Sequence, residues 1–360
     1  MVIETITLNN FRNYENLNLS MDAGVNVLLG DNATGKTNLI EALALVSTGE
    51  SFRAKRIEEM VRFGQEWGRV GLKIRNEDQD EELELAVMVS AGEVMGKKIR
   101  KRIYFINNVS KAKVGFVGLM PSVVFRPEDL ELMDGSPGVR RGFLDRTLCQ
   151  VDSEYRRSLS TYEQALMRRN KLLDAIRDGI ANKYSLTFWN GLLVKHGQEM
   201  ERKRDELVEQ INTLWMRSDL FNRLKMVYDK SIISAERLDQ YKEEEIAAGY
   251  TLVGPHKDDF WIEEKNGATD RNLSVYGSRG EQRMAVLALK MGEVYFIEEK
   301  RGEKVLLLLD DVFSELDSNH KNEVLRLMSN RQVVVSTAEE LDLRPVGTPK
   351  IIRMDMSRFA

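Results

Sequence analysis

Eight residues following an apolar run carry the densest chemical signal in the chain. Val25–Leu29 reads VNVLL and is followed by GDNATGKT, which puts Gly30, Gly35, Lys36 and Thr37 at the defining positions of G-x-x-x-x-G-K-[ST]. In such a turn the glycines let backbone N–H groups close around phosphate oxygens, so Gly30, Asp31, Asn32, Ala33, Thr34 and Gly35 form a cradle for a polyphosphate. Lys36 reaches the outer phosphates, and the Thr37 hydroxyl is placed for Mg²⁺. A second apolar run, Val305–Leu309, ends in Asp310 and Asp311. It delivers two carboxylates to the carboxyl edge of a sheet, where α/β proteins bind ligands. Asp310 is expected to hold the Mg²⁺ shell and Asp311 to polarise an attacking water, giving a site for ATP and Mg²⁺.

A third element lies between these two. In YGSRGEQR, Tyr276 to Arg283, the run Ser278, Arg279, Gly280, Glu281 precedes an apolar helix and resembles the signature sequence of ABC ATPases. The Ser278 hydroxyl and the N–H groups around Gly280 form a second anion nest at a helix N-terminus. The resemblance implies that Ser278 and Gly280 of one subunit complete the phosphate loop of another, so that the hydrolytic site is built in an ATP-dependent homodimer. Ser314 to Asp317, SELD, is similar to the D-loop of the same family. Where transporters of that family carry a switch histidine, this chain has Ser336 and Thr337. A hydroxyl cannot take up and return a proton near pH 7 as imidazole does. With Asp311 where many relatives use Glu, slow turnover is expected.

The elements that must position these groups can be read from periodicity. Ile3–Leu8, Leu17–Met21 and Val25–Leu29 read as strands, and Leu39, Ile40, Leu43 and Val46 as one face of an amphipathic helix. Trp67 to about Val117 is β-branched and alternating, with a tight turn at Asn107-Asn108, and reads as a small antiparallel lobe. Glu154–Ile246 is rich in Glu, Lys, Arg and Leu and lacks proline, which predicts packed helices. Strand signals return after Gly254, with a hairpin near Asn266-Gly267, helices at Gly280–Lys300 and Ser318–Met328, and a strand at Val333–Ser336. The expected fold is α/β: an ABC-type head formed by both chain ends, 1–150 and 250–360, carrying a β lobe over about 65–120, with an inserted helical arm at 151–249.

Composition narrows the function classes. The 360 residues are 42% hydrophobic and 31% charged with six prolines, as in a soluble globular protein of two or three units. No leader or apolar span appears, Cys149 has no partner for a bridge, and His196, His256 and His320 lack metal-ligand spacing; a cytoplasmic location is expected. The net charge of −4 announces no polyanion, so a nucleic-acid site must come from local clustering.

Lys36 and Asp310 are separated by the β lobe and the arm, which points to the DNA-handling branch of the superfamily. Pro127–Asp145, PEDLELMDGSPGVRRGFLD, resembles the RecF family's own signature, and Asn9–Tyr14 and Leu252–Phe260 resemble further RecF segments in the same order. The resemblance implies an ATP-dependent, dimerising, weak DNA-dependent ATPase. Such a protein acts with RecR and RecO at gaps to load RecA, and in replication restart and the SOS response.

The residues that meet DNA are a separate matter. Lys97, Lys98, Arg100, Lys101, Arg102, Lys111 and Lys113 read as one basic hairpin without an acid, suited to phosphate contacts or simply to a solvated β face. Arg168, Arg169 and Lys171 are a second candidate, against ordinary helix-surface charge. Arg140 and Arg141 suit phosphate, an interdomain salt bridge or ATP alike. The alternative reading is a nucleotide-gated module that recruits protein partners, with a transporter ATPase a distant third.

Overall fold

The helix Lys36–Thr48 is buried on nearly every side because it lies between two sheets. This computed structural model describes residues 1–76, 81–266, 269–314 and 318–355. The chain divides into Met1–Asp129 with Ile297–Ala360, and Leu130–Phe296.

In the first unit, a parallel sheet runs in the order Ser122–Phe125, Leu306–Asp310, Val333–Thr337, Val25–Leu29, Lys350–Arg353. Its central strands are covered on both faces, which is why they read as unbroken apolar runs. An antiparallel sheet runs Tyr14–Ser20, Val2–Phe11, Trp67–Asn76, Glu81–Ser90, Arg102–Ile106, Val109–Lys111. The expected small lobe therefore does not stand alone. Val2–Phe11 pairs with Trp67–Asn76, Leu8 opposite Val70 and Ile6 opposite Leu72, and joins the N-terminal strands to it. Asn107 and Asn108 both have positive φ, at 48° and 61°, and close the last hairpin as a primed turn.

Leu39, Ile40 and Leu43 of the helix share one apolar cluster with Ile3, Leu72 and Leu85 of the antiparallel sheet and with Leu28, Leu308 and Val334 of the parallel one. That is why its expected polar face is absent: Ala42, Ala44 and Leu45 are buried as well. The one acid there, Glu41, is fully buried and clamped by Arg12, whose Nε and Nη2 lie 2.7 and 2.6 Å from its two oxygens.

In the second unit, helices Pro137–Val151, Ser153–Arg177 and Leu186–Met216 pack with a three-stranded antiparallel sheet of Leu224–Asp229, Asp259–Asn266 and Thr269–Asn272. Asp152 caps the second of these helices by accepting from Glu154 N and Tyr155 N. The two long helices were legible, but the strand Leu224–Asp229 inside the arm was not. It pairs with Asp259–Asn266, Met226 opposite Ile262. That pairing draws residues after 250 into this unit, whereas the sequence placed 130–150 and 250–296 with the head. Asn266 lies opposite Thr269 as expected for a hairpin, and Gly267 lies outside the described residues. Helix Arg279–Arg301 begins in this unit and carries the chain across the division at 296/297.

Candidate functional site

The glycine-rich loop leaves the strand Val25–Leu29 and enters helix Lys36–Thr48, with Gly35 at φ 80° as the cap. Ala33 also takes positive φ, 69°, a conformation disfavoured for an L side chain and here part of a backbone nest. Gly30 cannot be enlarged, because a Cβ there would run into the Met354 carbonyl. Lys36 Nζ donates to the carbonyls of Gly30 at 2.6 Å and Asp31 at 2.8 Å, which holds an ammonium at the mouth of the loop. Burial lowers the Lys36 pKa, against the opposing fields of Asp311, Asp310 and Asp31.

Opposite the loop, the strand Leu306–Asp310 brings Asp310 to the hydroxyl of Thr37. Thr37 Oγ1 donates to Asp310 Oδ1 at 3.1 Å, and Ser336 Oγ donates to the same oxygen at 2.6 Å. Burial raises the Asp310 pKa, and the two hydroxyls work against that shift. A carboxylate and a hydroxyl converging from opposite sides are hard oxygen ligands suited to Mg²⁺. Asp311 turns outward at φ 52°, its N–H held by Ser336 Oγ at 3.1 Å. Ser336, expected only as the stand-in for a switch histidine, thus fixes both aspartates.

Several residues around the loop were not singled out individually from sequence. Tyr14 OH donates to the Gly35 carbonyl at 3.0 Å, and Asn38 Nδ2 donates to Asn13 Oδ1 at 2.7 Å. Beside the loop helix opens a cavity of about 940 Å³ whose lining includes Arg12, Asn38, Arg53, a fully exposed Phe63 and the acids Glu58 and Glu59. Guanidinium, amide and aromatic groups there suit the sugar and base that accompany a phosphate chain. The signal was present in Asn9–Tyr14, where Asn10 and Arg12 take positive φ of 47° and 54°.

In the second unit, Ser278 caps helix Arg279–Arg301 in a reciprocal box. Glu281 N donates to Ser278 Oγ at 3.3 Å, and Ser278 N donates to Glu281 Oε2 at 2.7 Å. The Ser278 N–H first, then the Arg271 guanidinium and the Ser278 side chain, hold the Glu281 carboxyl down at about 2. Ser278, Arg279 and Gly280 are all exposed, as are the neighbouring Val275 and Tyr276. The D-loop candidate Ser314–Asp317 falls mainly on Glu315–Asp317, outside the described residues.

The description RecF/RecN/SMC N terminal domain matches residues 2–356. Among curated relatives, a DNA replication and repair protein RecF from Lachnoclostridium phytofermentans is 33% identical over 367 residues, covering 98% of each chain. The same-named protein of Bacillus cytotoxicus is 34% identical over 364 residues, covering 95% of this chain and 93% of its own. The chain belongs to the RecF family. Its fold is the RecF form of the ABC ATPase fold. A solved structure described as the recombination mediator RecF-ATPrS in the RecFOR pathway superposes with TM-score 0.84 at 28% identity, covering 98% of this chain and 96% of its own. Another, described as RecF-ATP, gives 0.83 at 29%, covering 95% and 93%.

Two RecF-like segments meet within the second unit. Arg140 from the first forms a bidentate pair with Asp259 from the other, at 2.6 and 2.9 Å, and Arg141 donates to the Asp258 carbonyl at 2.8 Å. Arg204, 1% exposed, binds Asp145 at 2.7 Å and Asp258 at 2.8 Å, one acid from each segment. The question left open for Arg140 and Arg141 has a structural answer: both tie one RecF segment to the other.

Both basic candidates need correction. The seven cations of Lys97–Lys113 do not share one hairpin. Left-handed turns at Gly92, Met95 and Gly96 fold Lys97–Lys98 against Glu93–Val94 as a separate ribbon, while the apolar residues of Arg102–Ile106 draw that segment into the large sheet. Arg102 donates to the Gly49 carbonyl at 2.8 Å, Lys101 pairs with Glu58 at 3.5 Å, and Lys113 pairs with Glu50. Lys97, Lys98, Arg100 and Lys111 are exposed. On the arm, Arg169 is fully buried, bound to Asn190, Thr251 and Glu245 at 2.7, 2.8 and 2.6 Å, and faces no solvent.

Proposed function

We propose that this protein is an ATP-dependent DNA-binding protein of recombinational repair. ATP with Mg²⁺ seats on the Gly30–Thr37 loop, Asp310 and Thr37 hold the metal, Asp311 orients water, and the base end lies in the cavity of Arg12, Asn38 and Phe63. The observation that carries the reading is the convergence of Thr37, Asp310 and Ser336 beside the loop.

ATP then draws two copies together, with Ser278 and Gly280 of each capping the phosphates held by its partner. The exposure of Ser278, Gly280, Val275 and Tyr276 supports this. The dimer holds DNA, and slow hydrolysis opens it, because the groups at Asp311 and Ser336 are weak proton handlers. In this role the protein works in the cytoplasm with RecR and RecO at DNA gaps and junctions, supporting RecA loading, replication restart and SOS induction. The test is sedimentation with ATP and Mg²⁺: Ser278→Arg should remain monomeric while still binding ATP. Dimers that persist in that variant overturn the trans-acting role.

A second reading is a nucleotide-gated module acting through protein partners, with hydrolysis incidental. It is favoured by the engagement of Lys101, Arg102 and Lys113 with the protein itself. DNA affinity indifferent to ATP would select it.

A further inference from the structure

Segment Ser51–Met60, which follows the loop helix, is joined to the chain just after the basic ribbon by an ion pair, Glu58 with Lys101 at 3.5 Å. Arg56 is the cap residue of the short helix Ile57–Met60 that carries Glu58, which places it beside this ion pair. Lys55, Arg56, Lys97, Lys98 and Arg100 are all exposed. The acids nearby are engaged: Glu58 with Lys101, Glu59 with the Lys55 N–H at 3.0 Å, and Glu66 with the Met95 N–H at 2.8 Å, while Glu93 lies opposite Lys98 in the ribbon. A hydrogen bond from a backbone N–H leaves a carboxylate charged, so all four acids count, and the six cations Lys55, Arg56, Lys97, Lys98, Arg100 and Lys101 still exceed them; their long side chains suit a phosphodiester backbone without base reading.

The same segment is fastened to the helix that begins at the phosphate loop. Arg53 donates to Asn38 Oδ1 at 3.0 Å, Ser51 Oγ donates to Glu41, and Arg12, which clamps Glu41, also donates to the Glu59 carbonyl at 2.7 Å. Lys55 and Arg56 lie between those anchors. Their placement is tied to the first turns of that helix more directly than Lys97 and Lys98 are.

We infer that Lys55 and Arg56, joined through the Glu58–Lys101 bridge to Lys97, Lys98 and Arg100, form one surface that tracks the DNA backbone, and that the Lys55–Arg56 portion answers to the nucleotide. This rests on the DNA-binding reading above. The pair was invisible in the sequence because it lies about 40 residues from the ribbon and is flanked by acids.

The experiment is fluorescence anisotropy of a labelled random-sequence duplex with the full chain, with and without ATP and Mg²⁺, across a salt series. The variants are Lys55→Glu/Arg56→Glu, Lys55→Gln/Arg56→Gln and Lys97→Glu/Lys98→Glu, each checked for ATP binding. The charge reversal at 55 and 56 should weaken ATP-dependent binding by roughly tenfold or more and flatten the log-affinity against log-salt slope by about two, the neutral pair giving a smaller loss of the same kind. A wild-type slope and affinity in Lys55→Glu/Arg56→Glu, while Lys97→Glu/Lys98→Glu weakens binding, overturns the extended surface. If the wild-type chain itself gains no DNA affinity from ATP, the DNA-binding switch falls and this inference with it.

Discussion

Thr37 and Asp310 are 273 residues apart, yet their side chains share a hydrogen bond of 3.1 Å. Asp310→Ala removes the acceptor that the hydroxyls of Thr37 and Ser336 share. In calorimetric titration with ATP, the variant in Mg²⁺ should bind as the wild type does in EDTA, weaker by at least about tenfold, or ~1.4 kcal/mol. A variant that keeps the full Mg²⁺ response would remove Asp310 from the metal site.

Two glycines of helix Leu186–Met216 should respond oppositely to one added methyl group. At Gly197 a Cβ would meet Ile233 at 2.7 Å, Tyr162 at 3.1 Å and Pro255 at 3.3 Å, whereas at Gly191 nothing lies within 4 Å. Gly197→Ala should cost about 1–3 kcal/mol by overpacking. Gly191→Ala should gain about 0.5–1 kcal/mol through helix propensity. Urea unfolding of the two variants in parallel reads the difference directly.

Arg204 and Arg169 should be structural, not DNA ligands. Removing Arg204 leaves Asp258, fully buried, without its cation, and removing Arg169 does the same to Glu245. Arg204→Met and Arg169→Met should each destabilise by about 3–5 kcal/mol. Urea midpoints should shift strongly, and material that remains folded should bind DNA as the wild type does. A large change in DNA affinity with unchanged stability would contradict this.

Glu201 should make stability fall as pH rises from about 6.5 through about 7. Glu201, which accepts from Ile233 N at 2.8 Å, has its pKa pushed up from 4.5 to about 7, chiefly by burial. The native state holds this proton more tightly than the unfolded chain, so the contribution is full below pH 4.5 and is lost as pH rises through about 7. His256 has the opposite sign. Burial pushes its pKa from 6.5 down to about 4, so its contribution is full above pH 6.5 and is lost as pH falls through about 4. The two slopes oppose each other between about 4.5 and 6.5, and only Glu201 acts above that. Glu201→Gln should remove the alkaline decline and gain about 1–2 kcal/mol at pH 8, the full shift at ~1.4 kcal/mol per unit being reduced by partial solvent access. Urea midpoints at pH 5, 6.5 and 8 test this, and an unchanged alkaline decline in the variant would count against it.

The candidate motifs were written locally. Gly30 to Thr37, Asp310 with Asp311, and Ser278 to Glu281 can be picked out by residue type and spacing, because backbone donors and a helix N-terminus are built within a few residues, whereas the meeting of Thr37 and Ser336 at Asp310 could not be read this way. Apolar runs likewise marked the buried strands, since covering both faces of a strand leaves no room for alternation. What depended on partners distant in sequence was decided only by the tertiary structure. Lys36–Thr48 lost its polar face because a second sheet covers it. Arg169 left the surface because Glu245 and Thr251 came to meet it, and the basic run split because apolar neighbours pulled Arg102 into a sheet while left-handed turns sent Lys97 out of it. A charge in sequence carries no mark of its burial or partner; those follow from which elements pack together, and desolvation then determines whether it holds the fold or meets solvent.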